Sequence, residues 1–154
     1  MNENLSFTND FQSICALIIH LGTHEKWQSR TAREIAGSLA MDREEVERIL
    51  LTYPCFFRES TNRKEGQRLF TVHLRYTRRK KDPITGEHIA EPLTAEEIGI
   101  LINILMQMVS IEKQESQFFT ELKESNKKNN QTTFIAILVA CISALTTLIS
   151  AVLK

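Results

Sequence analysis

Apolar residues recur at helical spacing as Phe11, Ile14, Cys15, Leu17, Ile18 and Leu21, and Gly22 follows where a helix commonly stops in a left-handed conformation. The pattern predicts a first helix. After a polar connection, Thr31-Ala32-Arg33-Glu34 has the form of a capping box, in which the threonine oxygen and the glutamate carboxylate satisfy backbone N–H groups that lack helical partners. A second helix therefore starts near Ala32, turns Ile35, Ala36 and Leu39 inward, and gives out near Ala40-Met41. Asp42, with Glu45 three residues later, makes a second capping box and opens a third helix. Its inward face is Val46, Ile49, Leu50 and Tyr53, and Pro54 closes it.

Beyond Pro54 the period shortens. Cys55-Phe56-Phe57-Arg58 predicts a short strand, and Leu69 to Tyr76 alternates with Phe70, Val72, Leu74 and Tyr76 on one face. The polar stretch between them, 59–68, contains Asn62 and Gly66 and predicts a hairpin loop. Two short helices joined by a tight turn, with small Ala36 where backbones approach, form a helix-turn-helix arrangement. The stretch from Arg33-Glu34-Ile35-Ala36 to Val46-Glu47-Arg48-Ile49-Leu50, followed by the hairpin, resembles the winged-helix superfamily over roughly half of the chain. It departs at the turn, where Ala40 stands in place of the usual Gly. The resemblance implies fold more than function, because its motifs are generic to a very large superfamily.

The second half of the chain is patterned differently. Thr94-Ala95-Glu96-Glu97 is a third capping box and opens a long helix through Ile98, Leu101, Ile102, Leu105, Met108 and Val109. Ile100, Ile104 and Met106 are also apolar, so this helix is greasy nearly all round. One face is expected to cover its own domain and the other a second subunit; the alternative is a helix buried wholly in its own domain. Past Glu112 the heptad pattern decays. Residues 125–133 are polar and read as a linker. Phe134 to Leu153 then runs for twenty residues without a charge, which at about 1.5 Å per residue matches a bilayer core of about 30 Å. A transmembrane helix is expected there, with Ala136, Ala140, Ala144, Thr147 and Ala151 as a small-residue stripe for self-association. The alternative is a very hydrophobic packing helix in a soluble bundle.

The expected fold class is therefore mainly α with a small β-hairpin, the winged helix, then a long connector helix and one C-terminal transmembrane helix. The expected domains are 7–81, a loop 82–93, the connector 94–124, the linker 125–133 and the membrane segment 134–153. Charge adds a direction. The formal net charge is zero, but 1–81 carries 14 Lys and Arg against 10 Asp and Glu, and 82–154 carries 5 against 9. The start of the chain lacks the basic and apolar run of a signal peptide, and Lys127 and Lys128 precede the apolar run while only Lys154 follows it. A single-pass membrane protein with a cytoplasmic N-terminal domain, in a bacterial inner membrane, is the expectation. Cys15, Cys55 and Cys141 lie far apart and read as buried thiols, not a disulfide framework.

The basic residues carry the candidate chemistry. Arg58, Arg63, Lys64, Arg68 and Arg75 lie on or beside the hairpin, and Arg78, Arg79, Lys80 and Lys81 follow it. Such a cluster neutralises phosphates and binds nucleic acid in a salt-dependent way, or it is a solvated rim, or it meets anionic lipid head groups. The superfamily resemblance implies duplex DNA as partner, with the third helix in the major groove. There Arg43 and Arg48 could reach guanine edges, but Glu44, Glu45 and Glu47 would face phosphates. A protein partner docking on the winged helix is the alternative. His20 and His24 are four apart with Gly22 between them and no third ligand near, so no metal is assigned. His73 and His88 are isolated, Cys55 has no activating neighbour in sequence, and no phosphate-cradling glycine motif occurs. The reading is a non-catalytic, membrane-tethered winged-helix protein without cofactor, a DNA-binding transcriptional regulator or DNA tether, whose partners are duplex DNA, membrane lipid and further copies of itself; the alternative is a membrane-anchored adaptor or oligomeric membrane effector whose winged helix docks a partner protein.

Overall fold

Helix α1 begins where the Ser6 hydroxyl accepts the Asn9 N–H, and it runs Phe7–Thr23. In the computed structural model the backbone is described for residues 6–81, 83, 86 and 88–152, and side chains as far as 127. The helix buries Ile14, Leu17, Ile18 and Leu21, as the spacing requires. Gly22 is not the left-handed stop; it lies inside the helix, and His24 caps it in extended conformation. A Cβ at Gly22 would meet Ile98 Cδ1 at 2.6 Å and Leu93 Cδ1 at 3.2 Å, and the Gly22 carbonyl accepts the Leu93 N–H at 2.8 Å. Glycine here permits close packing.

Helix α2, Ala32–Leu39, has the full Thr31–Glu34 capping box. Ala40 then takes the left-handed conformation, φ 51 and ψ 39, that the turn demands in place of Gly. Helix α3, Arg43–Thr52, starts at Asp42, which accepts the N–H groups of Glu44 and Glu45. The second box is half formed, because the Glu45 carboxylate instead accepts the Ser13 hydroxyl of α1 at 3.3 Å.

A two-residue strand β1, Arg30–Thr31, has too little pattern to be read in advance. Strand β2 runs Phe57–Lys64 and β3 Gln67–Val72, so the expected 59–68 loop is mostly strand. Only Glu65 and Gly66 turn the chain, with φ 51 and 76, the left-handed pair of a type I′ hairpin. The order is β1-β3-β2, antiparallel throughout. The second strand ends at Val72, earlier than expected, because His73–Thr77 closes into a short helix, α4. A ribbon pairs β4, Lys80–Lys81, at the end of the expected 7–81 domain, with β5, His88–Ile89, within the expected 82–93 loop.

Helix α5 runs Ala95–Val152. Its start is the Thr94–Glu97 box: Thr94 N–H donates to Glu97 at 2.8 Å and Glu97 N–H to the Thr94 hydroxyl at 3.3 Å. The expected linker 125–133, which is rich in Asn and contains two Lys and no Glu, is helical backbone; polar composition without Gly or Pro does not by itself break a helix. The chain divides into two units, Met1–Glu112 and Lys113–Lys154. The core of the first combines Ile14, Leu17, Ile35, Val46, Ile49, Phe57, Phe70 and Leu105.

The transmembrane part of the expected fold class, and the membrane location drawn from it, are corrected: among the described residues no helix is long and apolar enough to cross a membrane. Past Ile111 the described part of α5 carries Glu112, Lys113, Glu115, Glu121, Lys123 and Glu124, which a bilayer core would not tolerate. Residues 134–153, with Ala136, Ala140, Ala144 and Thr147, lie outside the residues whose side chains are described. What the structure gives is a mainly helical chain with small antiparallel sheets.

Candidate nucleic-acid interface

Along β3, alternation puts Arg68 on the same face as buried Phe70 and Val72, and Arg63 pairs with Arg68 across the hairpin after an irregularity in β2. This brings both arginines to the side where α2 and α3 begin. Arg63 and Arg68 line a cleft of about 200 Å³ with Ala32, Arg43, Glu47 and Gln67. Glu59 Oε1 lies 3.0 Å from Arg63 Nη2 and 3.7 Å from Arg68 Nε, so one carboxylate serves two guanidinium groups. Arg43, exposed in the first turn of α3, has no ion pair among the described residues.

A neighbouring cleft of about 350 Å³ is lined by Arg33, Glu34, Ser38, Lys64 and Gln67, among others. Here Lys64 pairs with Glu34 at 2.5 Å. That ammonium group, together with the Thr31 N–H, holds the Glu34 carboxyl down at about 2, and Glu34 in turn raises Lys64. Beside it stands Trp27, 46% exposed, with Lys26 Nζ 5.2 Å and Lys64 Nζ 5.8 Å from its ring. Sequence reasoning missed Trp27 and Arg33. The available signal was a lone aromatic beside Lys26 in an otherwise polar connection.

Three of the expected DNA contacts are internal. Arg48 makes a two-point pair with Asp10, at 3.0 and 2.8 Å, and the Tyr53 hydroxyl lies 2.7 Å from the same carboxylate. The Arg48 hydrogen bond holds the Asp10 carboxyl below its usual range against the opposing effect of burial, and burial followed by Asp10 pushes Tyr53 well up. Arg75 lies on α4, not on a strand, and is fully buried. Its guanidinium donates to the carbonyls of Leu21 at 2.8 Å, Trp27 at 3.2 Å and Ala90 at 3.3 Å, and burial lowers its pKa. Arg78 binds Glu97 at 2.6 Å and reaches Glu91 at 3.6 Å.

The remaining cations lie elsewhere. Arg58 pairs with Thr71 in register, on the sheet face opposite Phe70, and its guanidinium stacks 3.6 Å from the Tyr76 ring centroid. Arg79 stacks on the same ring at 4.5 Å, and Lys80 and Lys81 are exposed on β4. The eleven expected contacts thus resolve into a cleft group, a Tyr76 group and three structural arginines.

The α5 residues expected at a subunit face lie largely against the chain's own core. Ile98 and Leu105 are buried in the chain's own core, with Leu101, Ile102 and Met108 packed against it and Val109 half-buried. The exposed apolar residues of that segment are Ile100, Ile104, Met106 and Ile111. The His20 and His24 rings are 5.8 Å apart, and Arg30 Nη1 lies 2.8 Å from His20 Nε2. Among the described residues no three His, Cys, Asp or Glu side chains gather as a metal site would need. Neither a family model, nor a curated protein, nor a solved structure matches this chain.

Proposed function

We propose that this chain is a non-catalytic nucleic-acid-binding protein of winged-helix type, a regulator or tether that holds duplex DNA against the end of the β2–β3 hairpin and the first turn of α3. The observation that supports it is the gathering of Arg43, Arg63 and Arg68 around one cleft. Arg63, Arg68 and Lys64 exchange their carboxylate partners for phosphates, and Arg43 is the one side chain of α3 placed to meet a base edge. Glu44 and Glu47 beside it oppose deep entry into a groove, so affinity rests on phosphate contacts and sequence preference is modest.

The test is fluorescence anisotropy of the full chain with random and genomic duplexes over a range of salt. Micromolar or tighter binding is expected, with a steep salt slope that falls by about one for each of Arg43→Gln, Arg63→Gln and Arg68→Gln. Unchanged binding by all three variants sinks the proposal. A second reading is a protein-docking module, favoured by Glu44, Glu47 and exposed Leu51 on one side of α3, a surface suited to a basic partner. Absence of duplex binding at low salt would select it.

We also infer that the protein acts as a pair through α5. Ile100, Ile104 and Ile111 share one side of the helix, 56%, 38% and 55% exposed, and no charged residue occurs from Ile98 to Ile111. A two-fold interface sets a surface against itself, so any uncompensated charge on it would repel its own copy. This stripe carries none, which favours a second copy over a charged partner.

A further inference from the structure

We propose that Arg58, Tyr76 and Arg79 form a separate phosphate-binding site, distinct from the cleft around Arg43 and independent of whether that cleft binds DNA. Arg58 lies on the opposite face of the sheet from Phe70, whereas Arg63 and Arg68 share the Phe70 face. One rigid surface does not include both groups of cations.

The partnering of the charges separates the two groups as well. Arg48, Arg63, Lys64, Arg68 and Arg78 each have a carboxylate within ion-pair distance. Arg58, Arg79, Lys80 and Lys81 have none among the described residues. Instead two guanidinium groups stand 3.6 and 4.5 Å from a single ring centroid. They are therefore within about one Debye length of each other at physiological salt, roughly 8 Å, and they repel. A bound dianion relieves that repulsion.

The geometry suits a phosphate in particular. Stacking occupies the flat face of a guanidinium and leaves its N–H donors in the plane, where they match phosphate oxygens two at a time. Tyr76 fixes both groups before any ligand arrives, which reduces the ordering cost of binding. Tyr76, Thr77, Arg79 and His88 line an open cleft of about 480 Å³, wide enough for a phosphate or pyrophosphate group; Arg58 borders it only through its contact with the Tyr76 ring, and Lys80 and Lys81 follow on the exposed β4. The shared chemistry is a phosphate, supplied either by a nucleic-acid backbone or as a free polyphosphate.

The test uses the full chain labelled with ¹⁵N, following the arginine Nε–Hε resonances during titration with pyrophosphate and, in a second arm, with a random duplex. Pyrophosphate is expected to move the Arg58 and Arg79 signals saturably. Arg79→Gln should weaken that response about tenfold or more, Tyr76→Phe should retain it because stacking is kept, and Arg63→Gln should leave it unchanged. Movement with duplex but not pyrophosphate assigns the phosphate to a nucleic-acid backbone and still supports the site. The proposal is overturned if neither ligand moves the two signals, or if Arg63→Gln weakens the pyrophosphate response as much as Arg79→Gln. The exposed Arg79 variant keeps the test decisive even if Tyr76→Phe perturbs packing. Loss of duplex binding in the Arg43 and Arg63 variants with the pyrophosphate response intact would separate this site from the cleft.

Discussion

Asp10 organises the contact between α1 and α3, because one carboxylate receives two guanidinium hydrogen bonds from Arg48 and faces the Tyr53 hydroxyl. Hydrogen bonds to a charged group contribute about 1.5–3 kcal/mol, and removing the acceptor leaves Tyr53 and Arg48 without it. Asp10→Ala is expected to cost about 2–3 kcal/mol in urea unfolding at pH 7, with Tyr53→Phe costing less. The pH dependence has a definite sign. Asp10 and Glu34 both have folded pKa values below their unfolded ones, Glu34 at about 2, so their contribution is full above the unfolded values and is lost as pH falls through the folded ones. Stability should therefore decline between about pH 5 and pH 2, and Asp10→Asn should flatten that decline. An Asp10→Asn chain that loses stability over this range as steeply as the unsubstituted one would show the Asp10–Arg48 pair to be unimportant. These roles were not legible in sequence. Arg48, Arg75 and Arg78 have the same charge as Arg63, and what distinguishes them is a partner distant along the chain, or in Arg75 a helical turn that begins at His73.

At the level of elements, local signals carried far. The boxes at Thr31 and Thr94 are completed within four residues, so sequence alone places the starts of α2 and α5. Asp42 was found but not its incomplete box, because the competing Ser13 hydroxyl comes from another helix. The hairpin was shortened in reading because 59–64 is polar on both faces, and a ribbon exposed beyond the core need not alternate. Ala40 offers a test at this scale. A non-glycine residue held left-handed costs roughly 1 kcal/mol, so Ala40→Gly should raise the stability of the chain by about that amount, read as a higher urea midpoint at unchanged slope. A fall in the midpoint would mean that the alanine methyl contributes packing that outweighs the backbone relief.

For the whole molecule, the exposed stripe on α5 makes association measurable. Ile104→Glu would place like charges against each other in a two-fold pair, and sedimentation of the full chain should shift from dimer to monomer, while Met106→Glu, off the stripe, should not. A monomer in the unsubstituted chain at all accessible concentrations would remove the pairing from the account. The periodicity of 98–111 predicts an apolar helix but does not say which of its residues meet the chain's own core, since only packing decides which side of such a helix faces inward. The transmembrane expectation rested on a charge-free run in sequence, and the described helices give it no support.

Glu112 accepts both the N–H and the hydroxyl of Thr8, at 2.8 and 3.0 Å, so a carboxylate from α5 finishes the first turn of α1. The beginning of the chain is thus completed by a residue 104 positions later. Cut after Lys81, the helices and hairpin would keep their motif but lose Glu112, Leu93, Ile98 and Leu105 from their packing. A fragment meant to keep this packing whole must therefore run to Glu112, thirty-one residues past the hairpin's basic tail.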